Sequence, residues 1–156
     1  MDYSDIILHP ATVHIPIGAI VAAACFVFYG WYRRLRDIEQ SGYYLVIFGW
    51  VTLIPSIISG TIDAVNHLQN PRTPSDALNW INFHAASAIG LLVVLWLAWQ
   101  LRRRMTGVVW EHPRYRQFLG YMALVLVLIF CSGWSGGYMV YTLQLGRLPE
   151  FTRNTC

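Results

Sequence analysis

Four apolar runs constrain this chain more than any other feature, because each is near the roughly 20 residues that an α-helix needs to cross a bilayer. They cover about Ala11 to Tyr32, Tyr43 to Asn66, Trp80 to Leu101 and Leu119 to Leu143. Connections are short, as antiparallel neighbours require. The pattern predicts an all-α, integral membrane four-helix up-down bundle forming one domain over residues 1–156. No internal repeat, low-complexity stretch or second domain is expected. Only 12% of residues are charged, against about 25% in a soluble domain, and that deficit also points to a bilayer.

Charge placement sets the expected orientation. All eleven basic residues are arginine. Arg33, Arg34, Arg36, Arg102, Arg103, Arg104, Arg114 and Arg116 fall in the first and third loops, whereas the other side holds Arg72, Arg147 and Arg153. The positive-inside bias therefore puts those two loops in the cytoplasm and both termini outside. Arginines that flank apolar spans do not form the basic stripe of a nucleic-acid binder. Cys25, Cys131 and Cys156 have no metal or redox spacing, and no C-x-x-C-H supports covalent haem attachment. Cys25 and Cys131 read as small packing residues. Asp2 and Asp5 stand where a cleavable signal peptide would carry a basic segment.

With this topology, the least lipid-like residues share one leaflet. His14 lies about one turn inside the outer end of the first span, and His84 about one turn inside the outer start of the third. Gly60, Asp63 and His67 lie at the outer end of the second, and Gly133, Gly136 and Gly137 in the outer half of the fourth. An intramembrane ionisable residue is a functional-site hypothesis. A b-type haem needs one or two axial imidazoles from facing helices and backbone close enough to seat a flat ring. His14 and His84, on diagonal helices, are the expected axial pair. Gly60, Gly136 and Gly137 would leave room for the ring. Asp63 would hold an imidazole N–H, accept a proton or cap the third helix.

Other readings compete. Histidines and glycines in a membrane also serve interhelical hydrogen bonding and close packing. A cofactor-free accessory subunit of a respiratory or photosynthetic complex would use its large aromatics as a docking surface. A copper or zinc site would draw on His9, His14, His67 and His84, since imidazole suits these metals too. His9 and His67 lie nearer water and read as supporting or bystander groups, and His112 as a loop residue. Pro55 predicts a kink in the second helix. Thr73-Pro74-Ser75-Asp76 reads as the cap and first turn of the third.

The motifs resemble a bacterial family of four-helix membrane proteins catalogued as a domain of unknown function, which opens with H-P-x-x-V-H-F-P-I. Here the stretch is His9-Pro10-Ala11-Thr12-Val13-His14-Ile15-Pro16-Ile17, with Ile15 in place of phenylalanine. Gly60 and Asp63 match a G-x-x-D, His84 matches a histidine opening the third helix, and Gly136, Gly137, Val140, Tyr141 and Gly146 match the closing motif. The resemblance covers about Leu8 to Gly146. It implies a multi-pass protein of the bacterial cytoplasmic membrane, suspected of binding haem. Electrons would then come from a separate redox subunit or a lipid-soluble quinone.

Overall fold

A computed structural model describes residues 9–69 and 75–145. Asp2, Asp5, Arg72, Thr73, Pro74, Gly146, Arg147, Arg153 and Cys156 lie outside them. The described chain is helical: α1 (His9–Thr12), α2 (His14–Arg33), α3 (Arg36–Gln69), α4 (Ala77–Arg102) and α5 (Tyr115–Tyr141), with a 3-10 turn at Val109–Glu111. Helices α2 to α5 are each long and apolar enough to cross a membrane. The expected four spans are all present. Asp76 takes the position before α4, but its side chain makes no capping hydrogen bond there.

Helix α3 begins earlier than its apolar run. Its first turn carries Asp37 and Glu39, and acidic groups favour a helix N-terminus through the helix dipole. The turn from α2 to α3 is therefore only Arg34 and Leu35. Arg34 adopts a left-handed conformation with φ of 56°. This lets the Leu35 N–H donate back to the Gly30 carbonyl at 2.9 Å, which closes the helix end. A Cβ on Gly30 would sit 2.5 Å from the Glu39 backbone nitrogen, so only glycine permits this close approach.

Helices α2 and α3 pack as one hairpin, and α4 and α5 as a second. Between hairpins, α3 packs on α4 and α2 on α5, which leaves α2 and α4 on a diagonal as expected. Apolar residues facing inward, among them Ile20, Val27, Val46, Leu95, Phe118, Met122 and Val125, form the core. Trp50 donates its indole N–H to the Leu92 carbonyl at 3.1 Å and lies beside Trp99, which ties α3 to α4. Cys25 is exposed, contrary to the packing role expected of it, and Cys131 is half-buried.

The expectation of no internal repeat is corrected here. Advance α2 by the interval from His9 to His84, and Pro16, Ile20, Ala23, Val27 and Gly30 fall on Leu91, Leu95, Ala98, Arg102 and Met105. Advance α3 by the interval from Ser56 to Ser132, and Glu39, Gly42, Val46, Gly49 and Ser59 fall on Tyr115, Phe118, Met122, Val125 and Ser135. Every one of these residues is buried. The two inter-hairpin contacts, α3 on α4 and α5 on α2, are likewise equivalents of each other. The hairpins are therefore parallel repeats about a pseudo-twofold axis that runs along the helices. Most equivalent buried sites hold unlike residues, such as Val27 and Arg102, so the likeness in sequence is confined to short histidine and serine motifs.

Candidate cofactor site

The repeat brings two histidines together near the axis. The rings of His9 and His84 are 5.9 Å apart between centroids and lie edge to face at 89°. Each is anchored from its own hairpin in the same way. His9 Nδ1 is 2.9 Å from the Ser56 carbonyl and 3.3 Å from Ser59 Oγ. His84 Nδ1 is 3.0 Å from the Ser132 carbonyl and 3.1 Å from Ser135 Oγ. A carbonyl only accepts, so Nδ1–H is the donor in both rings. Among the described residues no hydrogen bond occupies either Nε2.

The local sequence explains how His9 is held. Pro16 has no N–H to offer the Thr12 carbonyl, so the helical ladder lapses between α1 and α2. Ser56 Oγ donates to that carbonyl instead, at 3.1 Å. Thr12 Oγ1 bridges the His9 carbonyl and Ser59 Oγ, both at 2.9 Å. Asp63 accepts the His9 backbone N–H at 3.2 Å. In this contact the carboxylate caps the α1 end. The second repeat keeps the outline, with Ser87 Oγ donating to the His84 carbonyl at 2.8 Å.

Two of the expected glycines border the rings. A Cβ on Gly60 would lie 2.8 Å from His9 Cε1, and one on Gly136 would lie 3.2 Å from His84 Cε1. Gly133 and Gly137 have open space where a Cβ would point. They line an outward groove with Phe130, Trp134 and Tyr138. His14 is exposed on α2, and His84 pairs with His9 instead. His14 comes five positions after His9, about 140° round an ideal helix of 3.6 residues per turn. His67 is half-buried near the end of α3. His112 Nδ1 accepts the Arg114 N–H at 3.2 Å in the loop at the far end. The signal that finds His9 is a doubled pattern: His9-x-x-Thr12 with Ser56-x-x-Ser59-Gly60, and His84-x-x-Ser87 with Ser132-x-x-Ser135-Gly136.

Imidazole nitrogen suits iron, copper and zinc, so His9 and His84 would be the pair to hold a metal or haem here. Among the described residues no three His, Cys, Asp or Glu side chains converge. The four-histidine copper or zinc site is therefore not assembled, and a tetrahedral zinc centre lacks its ligands.

At the opposite end of the bundle lies a second buried polar group. Arg102 Nε donates to Glu39 Oε1 at 2.7 Å and Arg102 Nη2 to Oε2 at 2.6 Å. The Tyr115 hydroxyl donates to Glu39 Oε1 at 3.3 Å, and Arg102 also reaches Gln40 Oε1 at 3.2 Å. Glu39 is fully buried and Arg102 nearly so. The pair is complete in itself and joins α3 to the end of α4 and the start of α5.

No curated protein and no solved structure matches the chain. Residues 5–149 match the family described as predicted membrane protein (DUF2231). That match spans nearly the whole chain and agrees with the four spanning helices, so the protein belongs to the DUF2231 family of predicted membrane proteins.

Proposed function

We propose that the chain is a membrane electron-transfer protein in which His9 and His84 hold a b-type haem. The observation that carries this reading is the equivalently anchored histidine pair, with its 5.9 Å ring spacing and, among the described residues, no hydrogen bond on either Nε2. His9 takes the place expected for His14 because it is the residue that meets His84. When bound, haem supplies one-electron redox chemistry. The protein supplies two fixed imidazoles. A carbonyl that accepts from Nδ1–H fixes the tautomer and raises the basicity of Nε2 as a ligand. Ser59 and Ser135 restrain ring rotation, and Gly60 and Gly136 let each ring lie against helix backbone. The donor and acceptor of electrons are a partner redox subunit or a lipid-soluble quinone.

The test is a reduced-minus-oxidised visible spectrum of protein purified from its native membranes. A sharp α-band is expected for wild type and for His14→Ala. His9→Ala and His84→Ala should each lose the haem or give a high-spin spectrum. Native protein without haem refutes the proposal, and a His9→Ala spectrum identical to wild type removes His9 from the ligand set. Stoichiometric copper in place of haem bands would reassign the same two ligands to a bare ion.

A further inference from the structure

The two hairpins differ most at their arginine-bearing ends. The first closes in the two-residue turn at Arg34 and Leu35, whereas in the second α4 stops at Arg102 and α5 starts at Tyr115. The longer connection packs on α5 and reaches across to the first hairpin. Val109 is buried in the core cluster, and Trp110 lies under the Arg34 guanidinium of the first hairpin, 5.6 Å from ring centroid to Cζ. A groove of about 450 Å³ is left between the ends of α4 and α5. That size falls within the range of ligand-binding clefts, about 300–1,000 Å³.

The groove has two chemistries along its length. Arg103, Arg104 and Arg114 line its mouth, and Trp96, Leu97 and Leu101 line the part that runs into the span. No Asp or Glu lines it. Among the described residues the ion pair is Arg102 with Glu39, so these three arginines have no carboxylate partner. Arg103 is steadied over the Trp99 ring, 5.4 Å from its centroid. The first N–H groups of α5, just beyond Arg114, add the positive end of a helix dipole.

We infer that this groove binds an anionic phospholipid, its phosphodiester held by Arg103, Arg104 and Arg114 and an acyl chain laid along Trp96, Leu97 and Leu101. Three cations with no carboxylate call for an anion, and guanidinium groups bind phosphate oxygens in bidentate fashion. The apolar half selects a lipid over a soluble phosphate, which would leave that half uncovered. Basic pockets between spanning helices are established lipid-headgroup sites.

The test is native mass spectrometry of the full chain in mild detergent, titrated with phosphatidylglycerol and with phosphatidylcholine of the same acyl chains. One phosphatidylglycerol per chain should bind in preference to phosphatidylcholine. The preference should fall about fivefold for each arginine removed, and about a hundredfold in Arg103→Gln/Arg104→Gln/Arg114→Gln. Arg33→Gln/Arg36→Gln, at the tip of the other hairpin, should keep it. If the triple variant does not fold, single Arg104→Gln and Arg114→Gln variants carry the same test. An unchanged preference in folded variants overturns the inference. So does equal loss in the Arg33/Arg36 control, or displacement of the lipid by millimolar inorganic phosphate.

Discussion

Arg102→Leu tests the buried ion pair most directly. It removes two charge-assisted hydrogen bonds, at 2.7 and 2.6 Å, and leaves Glu39 fully buried with only the longer Tyr115 contact. Breaking such a pair from one side costs about 3–5 kcal/mol, because the remaining charge is uncompensated. At about 2–4 °C per kcal/mol for a chain of this size, the midpoint of thermal unfolding should fall by about 10 °C. Glu39→Leu/Arg102→Met removes both charges and fills the space. It should restore the midpoint to within about 3 °C of wild type or raise it, since apolar replacement of a whole buried pair is often neutral or stabilising. Tyr115→Phe removes one 3.3 Å bond and should cost about 1 kcal/mol. The assay is near-ultraviolet circular dichroism in one detergent at a fixed scan rate, because membrane-protein unfolding is often irreversible. If Arg102→Leu melts with wild type, or the double variant is no better than the single, the pair does not hold the helices as argued.

Gly60→Ala should displace the His9 ring and weaken the proposed haem spectrum. Gly136→Ala should act more mildly, because its Cβ has 3.2 Å of room rather than 2.8 Å, and Gly137→Ala should leave the spectrum unchanged; equal effects of all three would contradict the ring packing. Cysteine-labelling from each side of intact membrane vesicles should place Arg34 and Arg103 positions in the cytoplasm, as the arginine bias requires, and reaction of both only from outside would invert the orientation.

The four spans and the diagonal placement of α2 and α4 were legible in the sequence, because run length and short loops dictate them. Boundaries were less so: the polar first turns of α3 look like loop until Asp37 and Glu39 are read as helix-start residues. His84 was legible as an inward-facing histidine because it sits inside a span. The histidine beside it is His9 and not the expected His14, because distance from the span end measures depth but not direction. His14 lies deeper in the apolar run, yet it is exposed, while the lapse at Pro16 and the Ser56 hydroxyl hold His9 against α3. The arginine-lined mouth and the buried Glu39–Arg102 pair needed tertiary structure, since nothing local tells which of several consecutive arginines turns inward. Trp96 is 42% exposed on α4, whereas Trp50 and Trp99 pack against each other between α3 and α4.

Glu39 and Tyr115 occupy equivalent places in the two hairpins and touch each other across the axis. In a homodimer of identical hairpins, whatever residue stood there would face its own copy. Two glutamates would confront one another, or two tyrosines would compete for one space, and a single arginine would appear twice. Joining the hairpins in one polypeptide frees each half to change alone. One half then contributes the acid, and the other the base and the phenol. The histidines near the axis tolerate identity, because each ring is held by the serine and carbonyl of its own hairpin. The fused chain thus keeps its symmetry where chemistry rewards likeness and gives it up where charge forbids it.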